Sequence, residues 1–270
     1  MTGSKSKENP TPTGQNTLRS VEKALGLLNH FSLTNPEFGL SELARTAKMD
    51  KATTLRCLTA LERHGFVEQD PESRQYRLGL SLLRLARIRD LTFPFTTLIQ
   101  PELDALVDQT GETAHVSALS GSSLVTIGAL EPKRSVRASL EPAEVISLHG
   151  AASGLVLLAF GNGVRAEDLP EDLEAFTDTT ITKRSDLLIH LDEVRRQGYA
   201  VARQSFEADV TGIAAPIMDR NGHAAAAIAV ASVASRQTPE SIAQIRDAVR
   251  AAAMRLTAKI GGARLNEAAK

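Results

Sequence analysis

The spacing of hydrophobic positions changes repeatedly along the chain, and each change marks an element. From Thr17 onward, Leu18, Val21, Leu25 and Leu28 recur at helical spacing, with Ala24, Leu27 and Phe31 beside them. Asn35-Pro36 interrupts this pattern. A second helix begins at Leu40-Ser41-Glu42-Leu43-Ala44, with Ser41 placed to cap it. After a short turn near Met49, a third helix starts at Asp50, its cap, and reaches about His64, where Gly65 takes the terminating position. Residues 66–69 and 75–78 are short strand-like runs around the turn Asp70-Pro71-Glu72-Ser73, which predicts a hairpin. Three helices followed by a hairpin is the order of a winged helix-turn-helix.

A Leu- and Arg-rich stretch from Ser81 to Leu91 predicts a linker helix. Pro94 and Pro101 punctuate the next stretch, so the domain boundary falls near residue 95. The remainder reads as helix 98–109, strands 113–119, 124–130 and 136–140, helices 151–160 and 186–197, strands 199–202, 212–218 and 224–232, and a closing helix 239–260. That order predicts an α+β domain with a mainly antiparallel sheet flanked by helices. The organisation is therefore a tail at 1–16, a winged helix-turn-helix domain at 17–80, a linker helix at 81–95, an α/β domain at 96–262 and a tail at 263–270.

Composition adds limits. A length of 270 residues with 42% apolar positions supports two cored domains. The single cysteine, Cys57, excludes an internal disulfide framework and points to a reducing, cytoplasmic setting. No leader-like apolar segment follows the first basic residues, and no run is long enough to span a bilayer. The net charge of −1 speaks against nucleic acid until it is divided. Residues 1–95 hold 14 Lys and Arg against 10 Asp and Glu, and the rest holds 17 against 22. A basic head and an acidic remainder suit different partners.

Projected at 100° per residue, the third helix places Leu55, Leu58 and Leu61 toward the core and Ala52, Thr53, Arg56, Ala60 and Arg63 on the opposite side. A recognition helix needs this arrangement: an apolar stripe seats it, and short and basic side chains meet the major groove. Arg56 can donate to guanine O6 and N7, Thr53 can meet a thymine methyl or a phosphate, and Lys51 suits a phosphate. Arg74 and Arg77 flank the wing turn, and Arg19 opens the first helix. With Ser41 and Ala52 these form the candidate contact set for double-stranded DNA. The alternative, a winged helix that docks a protein partner, is disfavoured by the arginines around one surface.

Four stretches resemble the IclR family of bacterial transcriptional regulators across residues 17–262. They are Leu40–Ala44 through Lys51-Ala52-Thr53-Thr54-Leu55-Arg56-Cys57-Leu58, with Gly65-Phe66-Val67 and Tyr76-Arg77-Leu78-Gly79; Gly111-Glu112-Thr113-Ala114; His149-Gly150-Ala151-Ala152-Ser153-Gly154; and Gly198-Tyr199-Ala200 with Phe206-Glu207 and Gly212-Ile213-Ala214-Ala215-Pro216. The resemblance implies a two-domain repressor or activator, typically a dimer and often a dimer of dimers, with a GAF-like effector domain; the reading taken is a repressor whose twofold dimer binds a pseudo-palindromic operator. It implies that Ala152 and Ser153 face the effector and that Ile146, Val210, Gly212, Ala229 and Ala231 line the same pocket. The chain departs from the family pattern at Ala229 and Ala231, where some members carry serines, at Leu155 in place of a basic residue, and at Arg203 in a usually acidic segment.

The small-residue start of the helix at Ala151 offers unpaired N–H groups to an anion, so a metabolite carboxylate is the natural guest. An alanine-rich lining leans toward a larger organic acid, an aromatic carboxylate included. Arg137 is either a counter-ion for that acid or a solvent-facing arginine, and His115 and His149 are either internally satisfied or pocket donors. Catalysis has no support. Ser153 sits in Gly-x-x-Ser-Gly rather than Gly-x-Ser-x-Gly, and there is no P-loop, no dinucleotide fingerprint and no paired-histidine metal motif, so no cofactor is expected.

Overall fold

The computed structural model describes residues 14–92, 94–140 and 145–260. The chain divides into two compact units between residues 93 and 94. The predicted tail at 263–270 and most of that at 1–16 lie outside the described residues. The exception is a correction: α1 spans Gly14–Leu28, so the last three residues of the predicted tail are helical. The final helix-incompatible residue before it is Pro12, which leaves nothing downstream to delay the start.

In the first unit α1 is followed by β1 (Glu37–Phe38), α2 (Leu40–Thr46), α3 (Lys51–Arg63), β2 (Val67–Gln69), β3 (Tyr76–Leu78) and α4 (Leu80–Thr92). The hairpin β2–β3 gains β1 as a third strand, in the order β1-β3-β2, with Phe38 opposite Tyr76. Two residues are too few for a periodic signal, so β1 was invisible in the sequence. Leu27, Phe38, Leu43, Leu58, Leu61, Val67 and Tyr76 form the core, and Phe31 meets Phe38 edge-to-face at 5.4 Å.

Two expectations about these helices are corrected. Ser41 does not cap α2; the chain turns at Gly39, immediately after the buried Phe38, and Ser41 lies exposed in the first helical turn. Leu55 does not join the core but is 43% exposed, and Thr54 and Cys57 are buried instead. On the helical wheel the buried arc is centred between Cys57 and Leu58, and Leu55 falls about 110° away from that centre. The ends of α3 match their expected caps. Thr53 N–H donates to Asp50 Oδ1 at 2.8 Å. At the other end Gly65 adopts φ +71°, and the N–H groups of Gly65 and Phe66 return to the carbonyls of Glu62 and Leu61, both at 2.9 Å.

The second unit runs α5 (Phe95–Thr110), β4 (Thr113–Ser120), β5 (Ser123–Leu130), β6 (Val145–Ile146), α6 (Ala152–Phe160), α7 (Arg184–Gln197), β7 (Ala200–Arg203), β8 (Val210–Met218), β9 (Ala224–Val233) and α8 (Pro239–Ile260). Its antiparallel sheet has the order β6-β5-β4-β9-β8-β7. The alternation of β9 sorts the two layers. Ala226, Ile228 and Val230 pack with α5 and α8, while Ala227 and Ala229 pack with α6 and α7. Alanine on the second side lets α6 sit close to the strands.

Pro101 does not interrupt this region; it lies inside α5, where the buried Ile99, Leu103 and Leu106 hold the helix through the missing hydrogen bond. Glu102, buried on the same helix, pairs with Arg255 at 2.8 Å and Lys259 at 3.0 Å of α8.

The predicted strand 136–140 is a further correction. This segment is an irregular strap, and the strand paired with β5 is β6, with Leu124 opposite Ile146. The strap's backbone groups are taken by side chains instead of a ladder. Thr113 Oγ1 donates to the Ala138 carbonyl at 2.6 Å, Arg236 Nη1 to the Val136 carbonyl at 3.0 Å, and Leu140 N–H to Glu131 Oε1 at 3.3 Å.

Candidate functional site

The exposed face of α3 carries Lys51, Ala52, Leu55 and Arg56, with Thr53 half-buried at its edge. Arg56 Nη2 donates to Thr53 Oγ1 at 3.1 Å, which holds the guanidinium along the helix surface. Ser41 on α2 and Arg19 on α1 are exposed as well. In the wing, Asp70 Oδ1 accepts from the N–H groups of Glu72 and Ser73 at 3.0 and 2.7 Å, which closes the turn. Arg74 comes next with φ +60°, its own carbonyl bonded by Gln69 Nε2 at 2.8 Å and its side chain exposed. Arg77 is differently placed. Its Nε donates to Glu68 Oε1 at 2.7 Å and its Nη1 stands 3.8 Å from Glu37, so two carboxylates of the flanking strands engage its charge.

In the second unit a cavity of about 50 Å³ lies where the start of α6 meets β4, β8 and β9. Ile146, Ala152, Ser153, Val210, Gly212, Ala229 and Ala231 all border it. Gly212 fits there because a Cβ would stand 3.2 Å from that of Ala152, tighter than packing favours. Arg137 does not border the cavity; it pairs with Glu131 and bonds the Arg134 carbonyl at 3.1 Å.

The first turn of α6 has an extended N-cap, Ala151, with no side-chain cap. Its leading N–H groups therefore receive no side-chain acceptor from the cap residue. The two histidines left open by the sequence separate cleanly. His149 is internally satisfied: its Nε2 meets the Glu174 carbonyl at 2.8 Å, its Nδ1 meets Ser147 Oγ at 3.3 Å, and its ring leans on Phe176. His115 borders the cavity. Its Nε2 lies 3.1 Å from Ser153 Oγ, while its Nδ1 is buried with no partner. Burial lowers the His115 pKa from 6.5 to about 4, so the imidazole is neutral at physiological pH. A neutral ring can offer an N–H to an anion without adding a fixed charge.

Comparison with known families covers both units. The IclR helix-turn-helix domain matches residues 20–71, and the bacterial transcriptional regulator IclR C-terminal domain matches residues 93–258. The chain belongs to the IclR family. It is 27% identical to the HTH-type transcriptional regulator XynR of Escherichia coli K12, over 90% of this chain and 98% of that protein. It is 30% identical to the glycerol operon regulatory protein of Streptomyces coelicolor, over 87% and 94%. A crystal structure of an IclR transcriptional regulator from Silicibacter sp. TM1040 superposes with a TM-score of 0.84 at 39% identity, covering 90% of this chain and 97% of that one. As an IclR-family protein the chain is a transcriptional regulator with a helix-turn-helix domain and a C-terminal ligand-binding domain, and its family is not one of enzymes.

Within this IclR-family cavity the sequence left His115 open and missed the strap residues Ala138, Ser139 and Leu140, along with Phe206 and Glu207. His115 had a usable signal: it pairs in register with Ala229, and side chains opposite one another share a face. The strap had none, because its backbone has no repeating pattern.

Proposed function

We propose that this regulator binds a pseudo-palindromic operator as a homodimer or tetramer in the cytoplasm, acts as a repressor, and is controlled by a small organic acid. The acid's carboxylate takes the uncapped N–H groups of α6 beside Ser153 and neutral His115, and its apolar body lies against Ala229, Ala231, Ile146 and Val210. The observation that carries this reading is the pairing of an uncapped helix start with a buried, half-satisfied histidine in a largely apolar cavity that Ser139, Ser153 and Glu207 also border. The small cavity, about 50 Å³, favours a short acid over an aromatic ring. On the DNA side, Arg56 and Thr53 read bases, Lys51 and Arg74 hold phosphates, and Arg19, Ser41 and Ala52 lie alongside.

The test is direct. Native mass spectrometry of freshly purified protein identifies bound acids, and titration of those acids into an operator gel shift measures the response. Ser153→Phe fills the cavity, so the ligand response disappears while operator affinity without ligand is kept. An unchanged ligand titration in this variant overturns the assignment.

A further inference from the structure

Leu140 is a wall shared by two hollows. On one side it borders the cavity under α6; on the other it borders an open hollow of about 330 Å³ along β5, with Thr126, Ile127 and Glu131. Thr126 is 7% exposed, and its Oγ1 is buried with no partner. Ser117 lies opposite Thr126 in register, and its Oγ is also buried and unpartnered. Both side chains stand on the α6 side of the sheet, the side on which His115 also stands two residues from Ser117. A buried hydroxyl left unbonded is costly, and here two lie opposite one another on β4 and β5, Thr126 bordering the same hollow as Leu140.

The position of Leu140 rests on few bonds. Glu131 accepts from Ser139 Oγ at 2.8 Å and from Leu140 N–H at 3.3 Å, and it also pairs with Arg137. Because the strap belongs to no strand, Leu140 can be trimmed or displaced without breaking a ladder.

We propose that Leu140 determines the specificity of the effector site by limiting the length of acid it accepts, and that Thr126 and Ser117 behind it form a second polar subsite for the hydroxyl end of a longer acid. This rests on the organic-acid reading above. The wild-type chain takes short monocarboxylic acids, and removal of the leucine side chain joins the two hollows.

Calorimetry with straight-chain monocarboxylates from propanoate to octanoate, and with terminally hydroxylated octanoate, tests this on the full chain. In wild type the affinity drops beyond butanoate. In Leu140→Ala it rises with length, by roughly fourfold per methylene buried. Adding Thr126→Val removes the preference for the hydroxylated acid over octanoate and leaves octanoate binding unchanged. Leu140→Phe, which keeps the wall and thickens it, weakens even butanoate. The proposal is overturned if wild type and Leu140→Ala share one length cut-off while both bind propanoate, or if wild type already accepts octanoate. If no acid binds either protein, the organic-acid reading falls and this proposal with it.

Discussion

His115 is the residue whose environment says most. It is held neutral by burial, with a pKa lowered to about 4, and one ring nitrogen is buried without a partner. A histidine that stays neutral when folded but titrates near 6.5 when unfolded stabilises the fold above pH 6.5. That contribution is lost as the pH falls from 6.5 toward 4, because the unfolded chain then binds the extra proton. Between pH 6.5 and 5 the expected loss is up to about 2 kcal/mol from this group alone. Urea unfolding across that range should show wild type losing stability more steeply than His115→Gln as the pH falls, and parallel curves would contradict the assignment. Residue-level chemistry was legible in the sequence where it depended on type and spacing, as with the Asp50 cap and the glycine at 65. It was not legible where it depended on which atoms lacked a partner. The choice between His115 and His149 turned on a carbonyl contributed by Glu174, far along the chain.

At the scale of elements, most helices and strands could be read from period, since α8 and the strands of the second unit carry long, regular apolar patterns. The failures share a cause: side chains replaced backbone pairing, or the element was too short to repeat. The strap 136–140 is held by Thr113, Arg236 and Glu131, and β1 has two residues. The wing shows how the same principle separates two arginines that look equivalent in sequence. Arg77 is clamped by Glu68 and Glu37 across the small sheet, whereas Arg74 projects from a tight turn. Arg74→Ala should weaken binding to all DNA sequences alike and reduce the salt slope by about one. Arg77→Ala should leave the salt slope nearly unchanged and barely alter the stability of the first unit, because solvent screens exposed pairs of this kind. Salt-dependent affinity of the two variants on one operator distinguishes them, and equal slopes for both would remove the distinction.

For the whole molecule, the near-zero net charge conceals a basic head and an acidic remainder, and the head's excess is small. Under the proposed function, affinity for an operator then comes from a few placed side chains used twice, and association of two copies becomes the decisive step. The first unit has surface suited to that. Among its described residues, α4 buries none of its side chains, and Leu80, Leu83 and Leu91 are each more than 60% exposed. Val21 and Leu25 of α1 are 52% exposed. A helix of leucines and arginines without a core of its own gains stability only when something covers it, and in the proposed dimer a second copy would supply the matching face by twofold symmetry. Replacing Leu83 and Leu91 together by Glu should shift the protein toward monomer in sedimentation. It should also lower operator affinity by about a hundredfold or more, because the second half-site is no longer tethered roughly 34 Å from the first. Affinity for a single half-site should stay within about twofold, since α3 and the wing are untouched. A variant that remains dimeric, or that loses half-site and full-site binding equally, would show that the dimer is built elsewhere.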